Sequence, residues 1–416
     1  MNISANDRAV LRGLAKRIAE IAASPSNAER VARAKDTHSL KPVRPLVWLD
    51  EIPWHEMDFD GLLTPRCETE DARAIETGFR RTLMRWDYFQ ADMVVPPYYY
   101  IDKAYTDSGI GLDVQEDVLA TDQSNNIISH RYIDQLDTPE KVDALKIPAL
   151  RADPDQDARA VAQAEEIFGD ILPVRLRGHQ IYYAPWDIIG RLRGVENCLI
   201  DMAERPEFIH HIVKKFTRIG LARLEQMEKL NLLTTEQPSL HCTPPFTDEL
   251  PAPDWDGGPL RLKDVWFRGM AQLFAAASPA MQEEFDIAYM RPLMEMCGLS
   301  YYGCCEPLDR VIPYLKRTRN LRKIGVSPWA NVRSSAEQIG GDYVFARKPN
   351  PALVAGTLDH AAIRADVVET VEACKENGCP YEFVLKDIST VSYKPGNLID
   401  WVRIAERTLD EYYPER

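Results

Sequence analysis

The sequence lacks several features that would assign it to common functional classes. No apolar run in its 416 residues approaches the roughly 18 residues of a membrane span, and the polar N-terminus has no signal-peptide core. There is no basic block, and the net charge of −14 argues against nucleic acid or an anionic membrane surface as a partner. These absences predict a cytoplasmic protein that binds neither nucleic acid nor membranes.

Nucleotide-binding loops and a disulfide framework are also missing. Gly257-Gly258 and Gly340-Gly341 lack the context of a GxGxxG or GxxxxGK phosphate loop. The eight cysteines show no framework spacing, and adjacent cysteines rarely bridge, so we expect reduced thiols. We therefore discard nucleotide-binding functions and treat the cysteines as free.

Short apolar strands alternate with helices from about residue 170 onward. Such alternation over about 250 residues implies a parallel sheet, most economically a (β/α)8 TIM barrel. The predicted fold is thus α/β, with an N-terminal helical and irregular extension over residues 1–90 and the barrel over residues 91–416. The predicted strands lie at 171–176, 235–242, 301–304, 321–326, 343–346 and 381–385.

The strongest chemical signal is Cys304-Cys305-Glu306, where an aromatic strand ends at two thiols and a carboxylate. Thiolates and carboxylates bind metal ions, and residues just past the carboxyl ends of barrel strands face the active site. Because side chains alternate along a strand, Cys304 and Glu306 are predicted to share one face with Tyr302, and Cys305 to lie behind the sheet. The simpler alternative is two buried, inert cysteines.

A second pair, His241-Cys242, would complete a metal site. Zinc usually takes three or four protein ligands. We predict about one transition metal per chain, zinc being expected, although His241 could instead be a hydrogen-bonded loop histidine. The predicted metal ligands are His241, Cys242, Cys304 and Glu306.

Charged residues after two other strands are predicted to face the same cavity as Cys304. Lys348 and Asp387 each follow an apolar strand, where a charge is costly unless it binds something. Asp387 is favoured over Lys386 because Phe383 and Leu385 are assigned to the barrel interior, although a shift of one residue would exchange the two faces. A rim ion pair between Lys386 and Asp387 is the alternative. The predicted catalytic residues are Lys348, Asp387 and Asn350, and the predicted substrate-binding residues are Tyr302, His179 and Gln272.

Several segments together form a distributed pattern: 130–148, 193–197, 201–202, 205–207, 274–279, 284–285, 303–305 and 346–351. This pattern resembles the uroporphyrinogen decarboxylase superfamily, which includes zinc- and corrinoid-dependent methyltransferases. The resemblance covers about residues 130–410 and implies a (β/α)8 barrel with its ligand in a deep cleft at the strand C-termini. Zinc-binding relatives carry a His-x-Cys motif, whereas Tyr302 stands at the His position here.

The resemblance implies a methyltransferase of the O-demethylase type. It would move a methyl group between a small methoxylated or methylated substrate and a corrinoid protein, or from that protein to a thiol. Zinc would activate the thiol or act as a Lewis acid, and the cobalamin would be carried by the partner. The alternatives are a decarboxylase or lyase of the same superfamily acting on a small carboxylated substrate, and a barrel that only binds a corrinoid protein. The sequence leaves open the methyl donor and whether the chain forms a homodimer.

Overall fold

The computed structural model describes residues 3–120, 128–237 and 239–414. Helices and strands alternate through most of the chain. The strands are β1 (Leu46–Leu49), β2 (Tyr99–Asp102), β3 (Tyr105–Asp107), β4 (Glu116–Ala120), β5 (Ile128–Tyr132), β6 (Leu150–Ala152), β7 (Val174–Arg177), β8 (Ile181–Tyr183), β9 (Trp266–Gly269), β10 (Leu299–Tyr302), β11 (Leu321–Val326), β12 (Val344–Arg347) and β13 (Tyr381–Leu385).

The helices lie before, between and after these strands, and none in the described ranges is both long and apolar enough to cross a bilayer. The segment Glu283–Ile287 is a π-helical turn between two of them. The helices are α1 (Ala5–Ala22), α2 (Pro25–His38), α3 (Glu70–Met84), α4 (Pro139–Asp143), α5 (Pro154–Phe168), α6 (Pro185–Arg193), α7 (Val195–Glu204), α8 (Pro206–Lys229), α9 (Pro279–Gln282), α10 (Ala288–Met294), α11 (Ile312–Leu315), α12 (Val332–Ile339), α13 (Ala352–Ala355), α14 (His360–Glu376) and α15 (Gly396–Tyr412).

The main sheet is parallel and has seven strands, in the order β1-β13-β12-β11-β10-β9-β8. Its strands therefore end at one common edge. β1 comes from the segment predicted to be an extension, and it pairs with β13. The predicted α/β class is confirmed, whereas closure into an eight-stranded barrel and the boundary at residue 90 stay predictions. Residues 235–237 and 239–242, predicted to be a short strand or extended segment, form no strand and consist of bends and irregular backbone.

The two faces of this sheet differ in chemistry. One face is apolar and packs against helices: Phe383 and Leu385 join a buried cluster with Val367 of α14 and Trp401 of α15. This corrects the prediction that Phe383 and Leu385 point into the barrel interior, since both lie on the helix side of the sheet. The opposite, inner face carries charges and hydroxyls, and Arg268, Tyr301 and Lys323 lie side by side there on β9, β10 and β11.

The inner face holds a buried ion pair. Lys323 Nζ lies 2.9 Å from Glu382 Oε1 and 2.7 Å from His38 Nε2. It also donates to Thr243 Oγ1 at 2.9 Å. Lys323, Glu382 and His38 are all 0% exposed, so these bonds replace the water that the charges have lost. The network connects β11, β13 and α2 to the loop that follows Cys242.

Gly303 directs the chain from β10 into the thiol loop. Its φ is +115°, a conformation that side chains disfavour, and a Cβ there would lie 2.6 Å from Leu308 Cδ1 and 3.1 Å from Gly325 Cα. The turn at Gly303 breaks the alternation of the strand. Tyr302 packs in the apolar cluster on the helix side, and the following cysteines return to the inner side.

Replacing Gly303 by alanine is expected to destabilise the fold by about 2–4 kcal/mol, because it adds both backbone strain and a steric clash. Gly13→Ala is the matched control, since Gly13 is an exposed residue of α1 with nothing within 4 Å of an added Cβ. That change should stabilise by about 0.5–1 kcal/mol. Urea unfolding of both variants measures the difference, and equal midpoints would contradict the role given to Gly303.

Candidate functional site

Three residues bring metal-ligating atoms together at the C-terminal edge of the sheet. One ligand atom from each of His241, Cys242 and Cys304 lies within 4.8 Å of the other two. Tetrahedral zinc, with bonds of about 2.0–2.3 Å, separates its ligands by about 3.5–3.8 Å, so a small closure of these side chains would complete the geometry. Imidazole and thiolate are ligands that zinc prefers, and the cluster therefore fits a zinc ion with three protein ligands.

The backbone at His241 and Cys242 is unusual. Both residues have positive φ angles, +43° and +71°, which cost roughly 1–2 kcal/mol per non-glycine residue. A hydrogen bond of 2.7 Å from Leu240 N to Thr243 O closes the turn around them. The ring of Tyr182 lies against the imidazole of His241, with centroids 4.7 Å apart and the ring planes tilted by 34°. Strain of this kind concentrates at functional sites.

Cys305 lies beside the cluster rather than behind the sheet. Its Sγ is 3.6 Å from Cys304 Sγ and donates to Asp387 Oδ2 at 2.8 Å. The prediction of opposite faces for the two cysteines is therefore wrong, because the strand ends at Tyr302 and the turn at Gly303 follows. The site holds three thiols, and two of them, Cys242 and Cys304, belong to the group of candidate metal ligands.

Lys386 points into the site and contacts the same sulfur atoms. Its Nζ lies 2.9 Å from Cys304 Sγ and 3.0 Å from Asp387 Oδ2. Asp387 also reaches the site, because β13 has ended and its backbone turns with φ +55°. Asp387 was predicted to face the site in preference to Lys386, and the structure places both residues there.

Electrostatics favour a thiolate at Cys304. Hydrogen bonds from Cys242 and Cys305 lower the pKa of Cys304, with His241 and the charge of Arg268 acting in the same direction against burial. Burial raises the pKa of Cys242. The pKa of Cys305 is also raised, mainly by its hydrogen bond to Cys304 and secondly by burial. Without a metal, one negative charge is thus centred on Cys304 and held by neighbouring donors.

Glu306 braces the thiol loop instead of joining the cluster. It is 1% exposed, and its two oxygens accept from Ala271 N at 3.1 Å and from Cys304 N at 3.0 Å. These bonds fix the backbone of Cys304. The predicted role of Glu306 as a metal ligand has no support in this geometry.

The other predicted catalytic residues are divided between the inner face and a loop. Lys348 is buried on the inner face, with Nζ 5.6 Å from the centroid of the Tyr301 ring. Asn350 accepts from Ala352 N at 3.0 Å, so its side chain is used to begin α13. The catalytic roles of Lys348 and Asn350 stay predictions.

The predicted substrate-binding residues do not form one group. Tyr302 is fully buried and accepts from Gln282 Nε2 at 3.0 Å, on the helix side of the sheet. Gln272 Nε2 lies 3.7 Å from Met270 Sδ. His179 shares a hydrogen bond of 2.7 Å with Lys103 O and lines a cavity of about 380 Å³ that His241 and Cys242 also border. Of the three, His179 lines this cavity together with Cys242.

Sequence reasoning missed Glu51 and Arg268. Glu51 follows β1, and its carboxylate lies 3.4 Å from Lys386 Nζ and 4.0 Å from His241 Nε2. Arg268 is fully buried and its guanidinium lies 4.6 Å from the Tyr301 ring centroid. A signal for Arg268 existed, since a charge interrupts the apolar residues 265–267 and 269–271.

Comparison with known proteins yields a likeness of fold. No protein-family model and no curated protein matches the chain. Among solved structures, a methyltransferase from Methanosarcina mazei is similar, with a TM-score of 0.51 and 10% sequence identity. The alignment covers 92% of this chain and 99% of that chain. At this identity the likeness concerns the fold alone, and the uroporphyrinogen decarboxylase-like resemblance stays a prediction.

The geometry predicts different effects for the two adjacent cysteines. Cys304→Ser should lower the zinc content of the purified protein at least tenfold, because it removes a ligand atom. Cys305→Ser should retain zinc, since Cys305 is outside the ligand cluster. Elemental analysis of protein never exposed to chelators measures both, with the buried Cys198→Ser as the control. A wild-type protein without metal, or equal losses in the two variants, would refute the assignment.

Proposed function

We propose that the protein is a zinc-dependent methyltransferase acting with a corrinoid protein. It would move a methyl group between a small methoxylated or methylated substrate and the corrinoid, or from the corrinoid to a thiol. The observation that carries the proposal is the convergence of His241, Cys242 and Cys304 beside a cavity. The shared fold with a protein named as a methyltransferase supports the same class.

His241, Cys242 and Cys304 would hold the metal in this proposal. A bound zinc ion supplies Lewis acidity, which activates an acceptor thiol or an ether oxygen. The ring of Tyr182 against His241 and the bond from Cys304 N to Glu306 orient two of the ligands. Because Cys242 and Cys304 are 3% and 1% exposed, the protein excludes water from one side of the site.

Lys386 and Asp387 would manage charge and proton. The Lys386 ammonium, 2.9 Å from Cys304 Sγ, disperses the negative charge of that sulfur. Burial raises the pKa of Asp387, but the charge of Lys386 acts in the opposite direction, and the pKa is lowered overall. This carboxylate is therefore ionised at neutral pH. It accepts from Cys305, and an incoming thiol, made more acidic by a bound zinc ion, would donate to it in the same way.

The cobalamin belongs to the partner in this proposal, and the cavity beside the thiols is where its methyl group would meet the substrate. The cavity of about 380 Å³ falls in the range of small-molecule sites. It accommodates a compact donor or thiol more readily than a complete corrinoid. A homodimer and the O-demethylase type stay predictions.

A decarboxylase or lyase is the second candidate, and one observation favours it. Lys348 places a buried ammonium on the inner face, where it would suit the carboxylate of a substrate. In that mechanism Asp387 and Lys348 act without metal and the thiols are structural. Carbon dioxide release by protein stripped of metal would support this function over the first.

Transfer from free methylcobalamin to an added thiol tests the methyltransferase proposal. The cobalt–carbon bond breaks, the thiol sulfur gains the methyl group and loses its proton, and cob(I)alamin leaves with the electron pair. Asp387→Asn should reduce kcat about 100-fold or more while zinc content stays at the wild-type level. Asp342→Asn, at an exposed position before β12, is the matched control and should keep full activity.

The reaction is followed by the absorbance of methylcobalamin under anaerobic conditions. Zinc-loaded wild-type protein that transfers no methyl group, either from methylcobalamin to thiols or from methylated substrates to cob(I)alamin, would refute the proposal. Equal rates for Asp387→Asn and wild type would remove Asp387 from the mechanism and leave the metal site in place.

A further inference from the structure

Three buried polar groups around Tyr301 lack hydrogen-bond partners among the described residues. They are Lys348 Nζ, Arg268 Nε and the hydroxyl of Tyr301. Lys348 is 2% exposed, and Arg268 and Tyr301 are 0% exposed. Buried polar groups are normally satisfied, and a buried charge without a partner is particularly costly. Three such groups on one face of the sheet therefore indicate a missing ligand.

The groups surround one aromatic ring. The Arg268 guanidinium carbon lies 4.6 Å and Lys348 Nζ 5.6 Å from the Tyr301 ring centroid. Lys323 Nζ is 5.9 Å from the same centroid, but it is paired with Glu382. The same inner face thus holds a lysine whose charge is neutralised and another whose charge is not. This contrast makes Lys323 an internal control for Lys348.

Two cations of the inner face, Arg268 and Lys348, have polar atoms without a hydrogen-bonding partner among the described residues. In the described parts of the chain, neither Arg268 nor Lys348 forms an ion pair, that is, a contact of 4.0 Å or less between a side-chain nitrogen and a carboxylate oxygen. Arg268 donates only to Gly269 O at 2.7 Å and weakly to Met270 Sδ at 3.5 Å. A zinc ion held by two thiolates would be neutral as a unit, so binding it would leave Arg268 Nε and Lys348 Nζ still without a hydrogen-bonding partner. An anion is the ligand that completes this set.

We propose that Lys348, Arg268 and Tyr301 bind the carboxylate of the substrate, which is therefore a small methylated carboxylic acid. This inference rests on the proposed function and specifies its substrate class. A carboxylate has about four acceptor sites, and charged donors such as arginine and lysine make its strongest hydrogen bonds. The cavity bordered by His241 and Cys242 would hold the rest of the molecule.

Calorimetric titration of the purified protein tests the class directly. The probes are benzoate and methoxyacetate, each compared with its neutral amide. The acids should bind at least tenfold more tightly than the amides, because only the acids supply a negative charge to the buried cations. Equal affinities for an acid and its amide would overturn the proposal. The three polar groups would then be hydrogen-bonded to buried water instead of a substrate carboxylate.

Lys348→Met and Lys323→Met separate binding from folding. Lys348→Met should weaken binding of the acids at least tenfold and leave the Tm unchanged or higher, because an unpaired buried charge is removed. Lys323→Met should lower the Tm, because Glu382 loses its partner. Tyr301→Phe removes only the unpartnered hydroxyl, and it should weaken acid binding several-fold in a folded protein. Unchanged acid binding in both Lys348→Met and Tyr301→Phe would refute the site.

Failure of this inference is distinguishable from failure of the proposed function. The titrations contain no methyl donor, thiol or corrinoid. A protein that binds acids but holds no zinc and transfers no methyl group would refute the methyltransferase and keep the carboxylate site. A protein that transfers methyl groups, yet binds acids and amides equally, would refute the carboxylate site and keep the methyltransferase.

Discussion

The buried ion pair between Lys323 and Glu382 is the interaction on which the inner face of the sheet depends. It joins β11 to β13 across β12, and through His38 it fixes the end of α2. Lys323 also donates to Thr243 and to Pro244 O at 2.9 Å, directly after Cys242 in the chain. The loop that carries two of the three ligand residues is thereby anchored to a pair of charges that no water can screen.

The charge distribution of the inner face then accounts for the chemistry of the site. The chain as a whole carries a charge of −14, yet Arg268, Lys348 and Lys386 are directed toward the thiols. Hydrogen bonds from Cys242 and Cys305 are the main cause of the lowered pKa of Cys304, and the charge of Arg268 acts in the same direction, because a nearby cation stabilises a thiolate. Lys386 is neutralised locally by Asp387 and Glu51, whereas the other two cations have no such partner among the described residues. The site is thus prepared for sulfur ligation on one side and for an anion on the other.

Sequence reasoning identified the α/β class and the residues that form the cluster, because strand ends and thiols are local signals. His241, Cys242 and Cys304 could be selected in this way without knowing their distances. The error on Cys305 arose because alternation was extended beyond the strand, where the turn at Gly303 redirects the chain. Lys386 was passed over because only one of two neighbours was expected to face the site, whereas the positive φ at Asp387 brings both there. Phe383 was assigned to the inner face, which Glu382 occupies instead. A charged residue in the middle of a strand is expected to point to solvent unless a buried partner is known, and here that partner is Lys323. Lys323 lies 59 residues away in sequence, and pairing over that separation is not visible in a single sequence.

The strained turn at His241 and Cys242 connects the anchor to the function. Two successive left-handed residues persist only where surrounding contacts hold them, and here the Leu240–Thr243 hydrogen bond, the Tyr182 ring and the Lys323–Thr243 bond do so. The ligand atoms are therefore brought together by the fold before any metal binds, since Cys304 is fixed independently by Glu306. Such preorganisation reduces the conformational entropy lost on binding. The same buried charges that stabilise the fold thus set the geometry of the site.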